Sequence, residues 1–188
     1  MTSVGSRTFY PSSGPPPVTD AVLAAYGFHS ATVDPHTCHD NSALQEAWWC
    51  DVWVAPGRAV TKIGTVVRTA GVLGAGGFNG FALYDAAGAP LWSSVNDDPL
   101  WTVAGLASKS LGGSAIPAAT TLTRYRCALT SRGYTTPPVM HYTVTSTTLV
   151  DSARQAFYNN AITTWPAAID PATYGLSTGG YKPLIMLG

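Results

Sequence analysis

Charge is scarce in this chain. Only 11% of its 188 residues are charged, against roughly 25% in an ordinary soluble domain. Glu46 is the single glutamate, and the lysines are Lys62, Lys109 and Lys182. Ten acids balance ten bases, so the formal net charge is zero. Nucleic-acid binding normally needs a basic face, and this balance argues against it. A protein this poor in charge tends to self-associate, whereas a subunit covered by neighbours is spared. The composition therefore predicts a homo-oligomer, a trimer among the options, or a shared interface in a larger assembly. Long apolar runs are also missing, and none approaches the length of a membrane span, so no membrane insertion is expected. Met1-Thr-Ser-Val-Gly-Ser-Arg7 lacks the apolar core of a signal peptide, which predicts a protein beginning near Met1 and made in a cytoplasm.

Cysteine is sparse and odd in number: Cys38, Cys50 and Cys127. At least one cannot pair within the chain. Cys50 and Cys127 fall in expected strands and read as small buried hydrophobes, with a disulfide between the strands as the lesser reading.

What the chain has is short alternating strands broken by turn residues. In Ala47-Trp-Trp-Cys-Asp-Val-Trp-Val54, the side chains of Trp48, Cys50, Val52 and Val54 point one way, and those of Trp49, Asp51 and Trp53 the other. Further strands are expected at 60–69, 81–85, 91–95, 101–108, 121–130, 139–144 and 181–187. Pro56-Gly57, the Gly-rich 71–80 loop, Ala86–Pro90, Asn96–Pro99 and Gly112-Gly113 separate them. About eight strands at this spacing predict an all-β fold, an antiparallel, jelly-roll-like β-sandwich. Residues 1–18 read as an extended docking arm, because the prolines in Tyr10–Val18 lack donors and fix φ. Residues 19–188 then form a single sandwich domain. A short helix is expected at 19–26, capped by Thr19 or Asp20 and closed by Gly27. A second helical turn is expected at 151–158, with Ala153 and Phe157 facing the core. Residues 165–180 read as a long ordered loop.

Candidate chemistry is thin. His36, Cys38 and His39 form a weak metal-type cluster with donors that suit zinc, but the spacing matches no standard site. A polar loop is the plainer reading, and no cofactor is expected. Gly74–Gly80 misses the dinucleotide spacing and leads into a strand, so it reads as an inter-sheet loop. Asp97 and Asp98 are adjacent in a turn and cannot flank a sugar from two sides, as glycoside hydrolysis requires. A catalytic role is therefore not expected, and a glycan-active enzyme is a remote alternative. The aromatics carry more. Both faces of 48–53 cannot enter one core. Trp49 and Trp53 therefore lie under the arm or the 165–180 loop, or form an interface. Exposed aromatics can also stack on sugar rings where a groove exists.

The stretches Val52–Gly64, Phe78–Gly88, Asp98-Pro-Leu-Trp101, Tyr125-Arg-Cys-Ala-Leu129 and Thr135-Thr-Pro-Pro138 together resemble a β-sandwich module of tailed phages infecting actinobacteria. Such modules are commonly minor tail or other virion structural proteins. The resemblance covers roughly residues 45–145 and carries no catalytic residues. It implies a non-enzymatic virion protein whose partners are tail or major capsid subunits, and whose further partner could be a host-surface glycan. As a minor tail protein it would serve host adhesion. As a capsid decoration protein it would dock through Phe9, Tyr10 and Val18 of the arm. Its location would be the virion, after synthesis in the host cytoplasm.

Overall fold

A computed structural model of the chain describes residues 21–32, 38–42, 47–144, 156–159, 162–169, 175–176 and 181–188. In chain order the elements are α1 (Ala21–Ala25), β1 (Ser30–Ala31), β2 (His39–Ser42), β3 (Ala47–Val54), β4 (Lys62–Thr69), β5 (Val72–Leu73), β6 (Asn79–Tyr84), β7 (Pro90–Ser93), β8 (Gly105–Ser110), β9 (Thr123–Ser131), β10 (Tyr134–Thr136), β11 (Val139–Val144), β12 (Ala156–Asn159), β13 (Gly175–Leu176), β14 (Tyr181–Pro183) and β15 (Met186–Leu187). Single 3-10 turns lie at Asp98–Trp101 and Gly112–Ser114. Among the described residues no helix is long and apolar enough to cross a membrane.

The strands form two antiparallel sheets, as an all-β sandwich requires. One runs β1-β15-β4-β11-β14, with β8 added along β4 and β2 along β11; the other runs β13-β12-β3-β9-β6-β7. A small β10-β5 ribbon stands apart. The alternation along β3 selects its inner face. Trp48, Val52 and Val54 join Phe81 and Leu83 of β6 and Tyr125, Cys127 and Leu129 of β9. They pack on Ile63 and Val67 of β4 and on Met140 and Tyr142 of β11. Each such side chain, fully buried, contributes about 1.5–3 kcal/mol against exposure.

The outer face of the β4 sheet is covered by α1. Its end follows from Gly27, whose φ of 72° is open to glycine without strain. The Gly27 amide donates to Ala24 O at 2.9 Å and the Phe28 amide to Leu23 O at 2.8 Å, the two bonds of a Schellman cap. Leu23 and Phe28, which that cap brings together, pack with Val66, Leu184 and Met186. The expected helix end at Gly27 is thus present, while Thr19 and Asp20 lie outside the described residues.

Three expectations need correction. Residues 101–108 do not form one strand. Pro99 sits in the first turn of the 3-10 segment, which swings Trp101 into the core. There its Nε1 donates to Thr130 O at 2.9 Å, and its ring meets Phe81 edge-on at 5.1 Å. Of the helical turn expected at 151–158, residues 151–155, with Ala153, lie outside the described residues, and 156–159 form β12, which pairs Phe157 with Trp49 and Tyr158 with Trp48. Aromatic residues suit a half-buried strand, and the open edge of β3 supplies the backbone partners that a lone helical turn lacks. The last strand splits into β14 and β15. Between them Leu184 donates to His141 O at 2.9 Å and Ile185 to the Thr32 hydroxyl at 2.9 Å.

Cys50 and Cys127 are directly opposed on β3 and β9, and both are free, buried thiols. Burial pushes the Cys50 thiol up to about 12 and raises Cys127 as well. The thiolate is the reactive species. Ellman's reagent applied to the folded protein is therefore expected to titrate Cys38 alone, with Cys50 and Cys127 reacting only on unfolding. Equal rates at all the thiols would contradict the packing described.

Candidate functional site

The outward-facing residues of β3 meet three different environments along one strand. Trp49 is fully buried, Asp51 is 8% exposed and Trp53 is 46% exposed. Trp49 lies beneath the segment 162–169, in a layer with Phe78, Ala82, Tyr84, Ala128, Ile162 and Ile169. Trp165 joins that layer, its ring 5.3 Å from that of Phe78. The segment is fastened at several points. Tyr84 Oη donates to Pro166 O at 3.1 Å, Trp165 Nε1 to Ser94 O at 3.1 Å, and the Ile169 amide to Gly88 O at 2.9 Å. Trp49 is therefore a packing residue of this chain and not part of a surface interface. Trp53 alone of the expected pair remains on the surface.

Between the two tryptophans sits an ionic row. Arg124 and Arg126 stand opposite Trp53 and Asp51 on β9. Their guanidinium nitrogens approach the Asp51 carboxylate at 3.6 and 3.5 Å. Burial raises the Asp51 carboxyl, and Arg124, Arg126 and Lys182 pull the other way without cancelling it. Arg124 is also held by a bond from its Nη2 to Ala86 O at 3.3 Å. So anchored, it places its guanidinium over the Trp53 ring, 6.0 Å from the centroid.

Trp53, Arg124 and the turn after β6 border a groove of about 580 Å³, with Thr121, Leu122, Thr123 and Tyr125 completing its wall. That turn is built by Asp85, whose Oδ1 accepts from the Ala87 amide at 2.8 Å and the Ala89 amide at 2.9 Å. Trp53 could be singled out in the sequence by its place on the outer face. Arg124 and Asp85 could not, because only the strand register brings them beside it.

The other expected site residues fall elsewhere. Phe9, Tyr10 and Val18 lie outside the described residues, as does His36. His39 opens β2, and Cys38 is half-buried against the α1 layer. Among the described residues no three potential metal ligands come together. Asp97 forms an ion pair with Lys109. A second groove, of about 510 Å³, opens beside that pair between Trp92 and Asn96.

A separate titratable cluster lies on the β4 sheet, where Asp40 approaches His141 Nδ1 at 3.4 Å and Arg68 Nε at 3.3 Å. Burial lowers the His141 pKa, Arg68 lowers it further, and Asp40 opposes both. The unfolded imidazole takes its proton first on acidification. The stabilising contribution is thus present above the unfolded value of 6.5 and is lost as pH falls through the folded value. Replacing His141 with Gln is expected to flatten the fall in Tm between about pH 7.5 and pH 5.5. An unchanged slope in thermal melts would show that the loss arises elsewhere.

Comparison with protein-family profiles, with curated proteins and with solved structures found no match for this chain.

Proposed function

We infer that this chain is a non-enzymatic structural component of a phage virion that acts as a minor tail protein contacting the host surface. The observation that carries the reading is Trp53. A large aromatic, 46% exposed, stands in an open groove on the outer face of the sheet beside Arg124 instead of packing into the core. Exposed aromatics held in one pose are typical anchors of binding surfaces, since little side-chain entropy is lost on contact. The sequence resemblance to tail modules and the low charge of the chain support the same reading.

The alternative, capsid decoration, is favoured by a different feature. Among the described residues no strand pairs with the outer edge of β8. Near that edge Val103 is 71% and Leu106 40% exposed. An unpaired edge beside apolar side chains is a surface that another subunit can cover. Gold-labelled antibody against this protein, viewed on purified particles by electron microscopy, separates the readings. Label at the tail tip is expected. Label over the head would assign decoration, and absence of the protein from particles would overturn both.

A further inference from the structure

We propose that the Trp53 groove is a carbohydrate subsite, taking one neutral pyranose ring stacked on the indole. The proposal rests on the binding role inferred above and names the ligand class of that site.

The chemistry of the lining supports it. A pyranose offers an apolar C–H face and a rim of hydroxyls that both donate and accept. An aromatic ring matches the first, and a fixed donor beside a fixed acceptor matches the second. Trp53 supplies the ring, 46% exposed, with the guanidinium of Arg124 6.0 Å from its centroid. Arg124 has five N–H donors. Its contacts to Ala86 O and Asp51 anchor the head and leave donors to spare. Asp85 has acceptor capacity beyond the two amides on Oδ1, because a carboxylate offers about four lone-pair sites.

Charge narrows the class further. One cation and one anion line the groove, so it has no net charge to draw in an acidic sugar, whose carboxylate would be repelled by Asp85. A neutral ring suffers no such penalty and can bond to both. The groove is open along one side, so it contacts one face of a sugar. Affinity for a single ring is accordingly expected near millimolar, about −4 kcal/mol, and useful adhesion would come from many copies on one particle.

The test uses the full chain with methyl β-galactopyranoside, methyl β-glucopyranoside, methyl α-mannopyranoside, lactose and cellobiose as probes. Glucuronic acid serves as the charged comparison. Saturation-transfer NMR and tryptophan fluorescence read binding, and circular dichroism checks that each variant is folded. At least one neutral probe is expected to bind. Trp53→Ala is expected to weaken it about tenfold or more, while Trp53→Tyr stays within about threefold. No neutral binding at up to about 50 mM, unchanged binding in Trp53→Ala, or tighter binding of glucuronic acid would each overturn the proposal. Failure here leaves the particle-labelling result standing, so the two readings fail separately. If Trp53→Ala instead removes the protein from particles and no sugar binds, the groove docks a neighbouring subunit and not a glycan.

Discussion

Replacing Trp49 with Ala is expected to destabilise the protein by about 3–5 kcal/mol, the usual range for emptying a buried tryptophan site. Replacing Trp53 with Ala is expected to change stability by no more than about 1 kcal/mol. The two residues have the same side chain, lie on the same strand and point to the same side of the sheet. They differ in what lies above them. Trp49 is roofed by Ile162, Trp165 and Ile169, and its removal leaves a cavity that the fastened segment cannot collapse to fill. Trp53 is covered only in part, by Arg124, so water fills the space it vacates. For a chain of this length the first change corresponds to a fall in Tm of roughly 6–20 °C. Thermal melts of the two variants side by side provide the check. Equal losses would mean that Trp53 also belongs to the packed layer, and that the groove is not a free surface.

This contrast also marks how far the sequence could be read. Alternation along 47–54 was enough to say that two sets of aromatics face opposite ways and that one core cannot take both. It was enough to expect that the second set lies under the arm or residues 165–180, or forms an interface. The cover over Trp49 comes from Ile162, Trp165 and Ile169, so it begins ahead of the expected 165–180 segment, while Trp53 is left exposed. The sequence could not say where the cover stops, and that boundary is what turns one tryptophan into packing and the other into a site. The same limit explains the groove. Thr123, Arg124 and Asp85 read as strand and turn residues, because their meeting with Trp53 depends on a cross-strand register with no local signature. Local signals were reliable where the chemistry itself is local. Gly27 ended the helix, the turn expected at Ala86–Pro90 is present but opens on Asp85 and closes before Pro90, and Val139–Val144 formed a strand with the expected bounds. They failed at 156–159, where an open sheet edge took a segment that otherwise suits a helical turn, and at Trp101, where a buried carbonyl and Phe81 drew the ring inward.

Gly88 is where the cover, the turn and the groove are joined, and its replacement is the sharpest test of that connection. Its φ is +91°, a region an L-residue enters at a cost of about 1–2 kcal/mol. A Cβ there would overlap the carbonyl oxygen of Ile169, an approach no rotation of the new methyl can relieve. The segment 162–169 must then lift, breaking the bond from the Ile169 amide to Gly88 O and exposing part of the layer over Trp49. Gly57 is the matched comparison, with φ +76° and nothing within 4 Å of its added Cβ. Gly57→Ala should therefore show the backbone strain alone, about 1–2 kcal/mol. Gly88→Ala should lose about 3 kcal/mol or more, since strain and uncovered apolar surface add. Because Asp85, Ala86 and Ala87 of the same turn line the groove, Gly88→Ala should also weaken whatever binds beside Trp53, and Gly57→Ala should leave it unchanged. Denaturant melts and ligand titration of the two variants read both effects. Equal stability losses would show that the 162–169 segment does not hold the turn, and with it the far wall of the groove, in place.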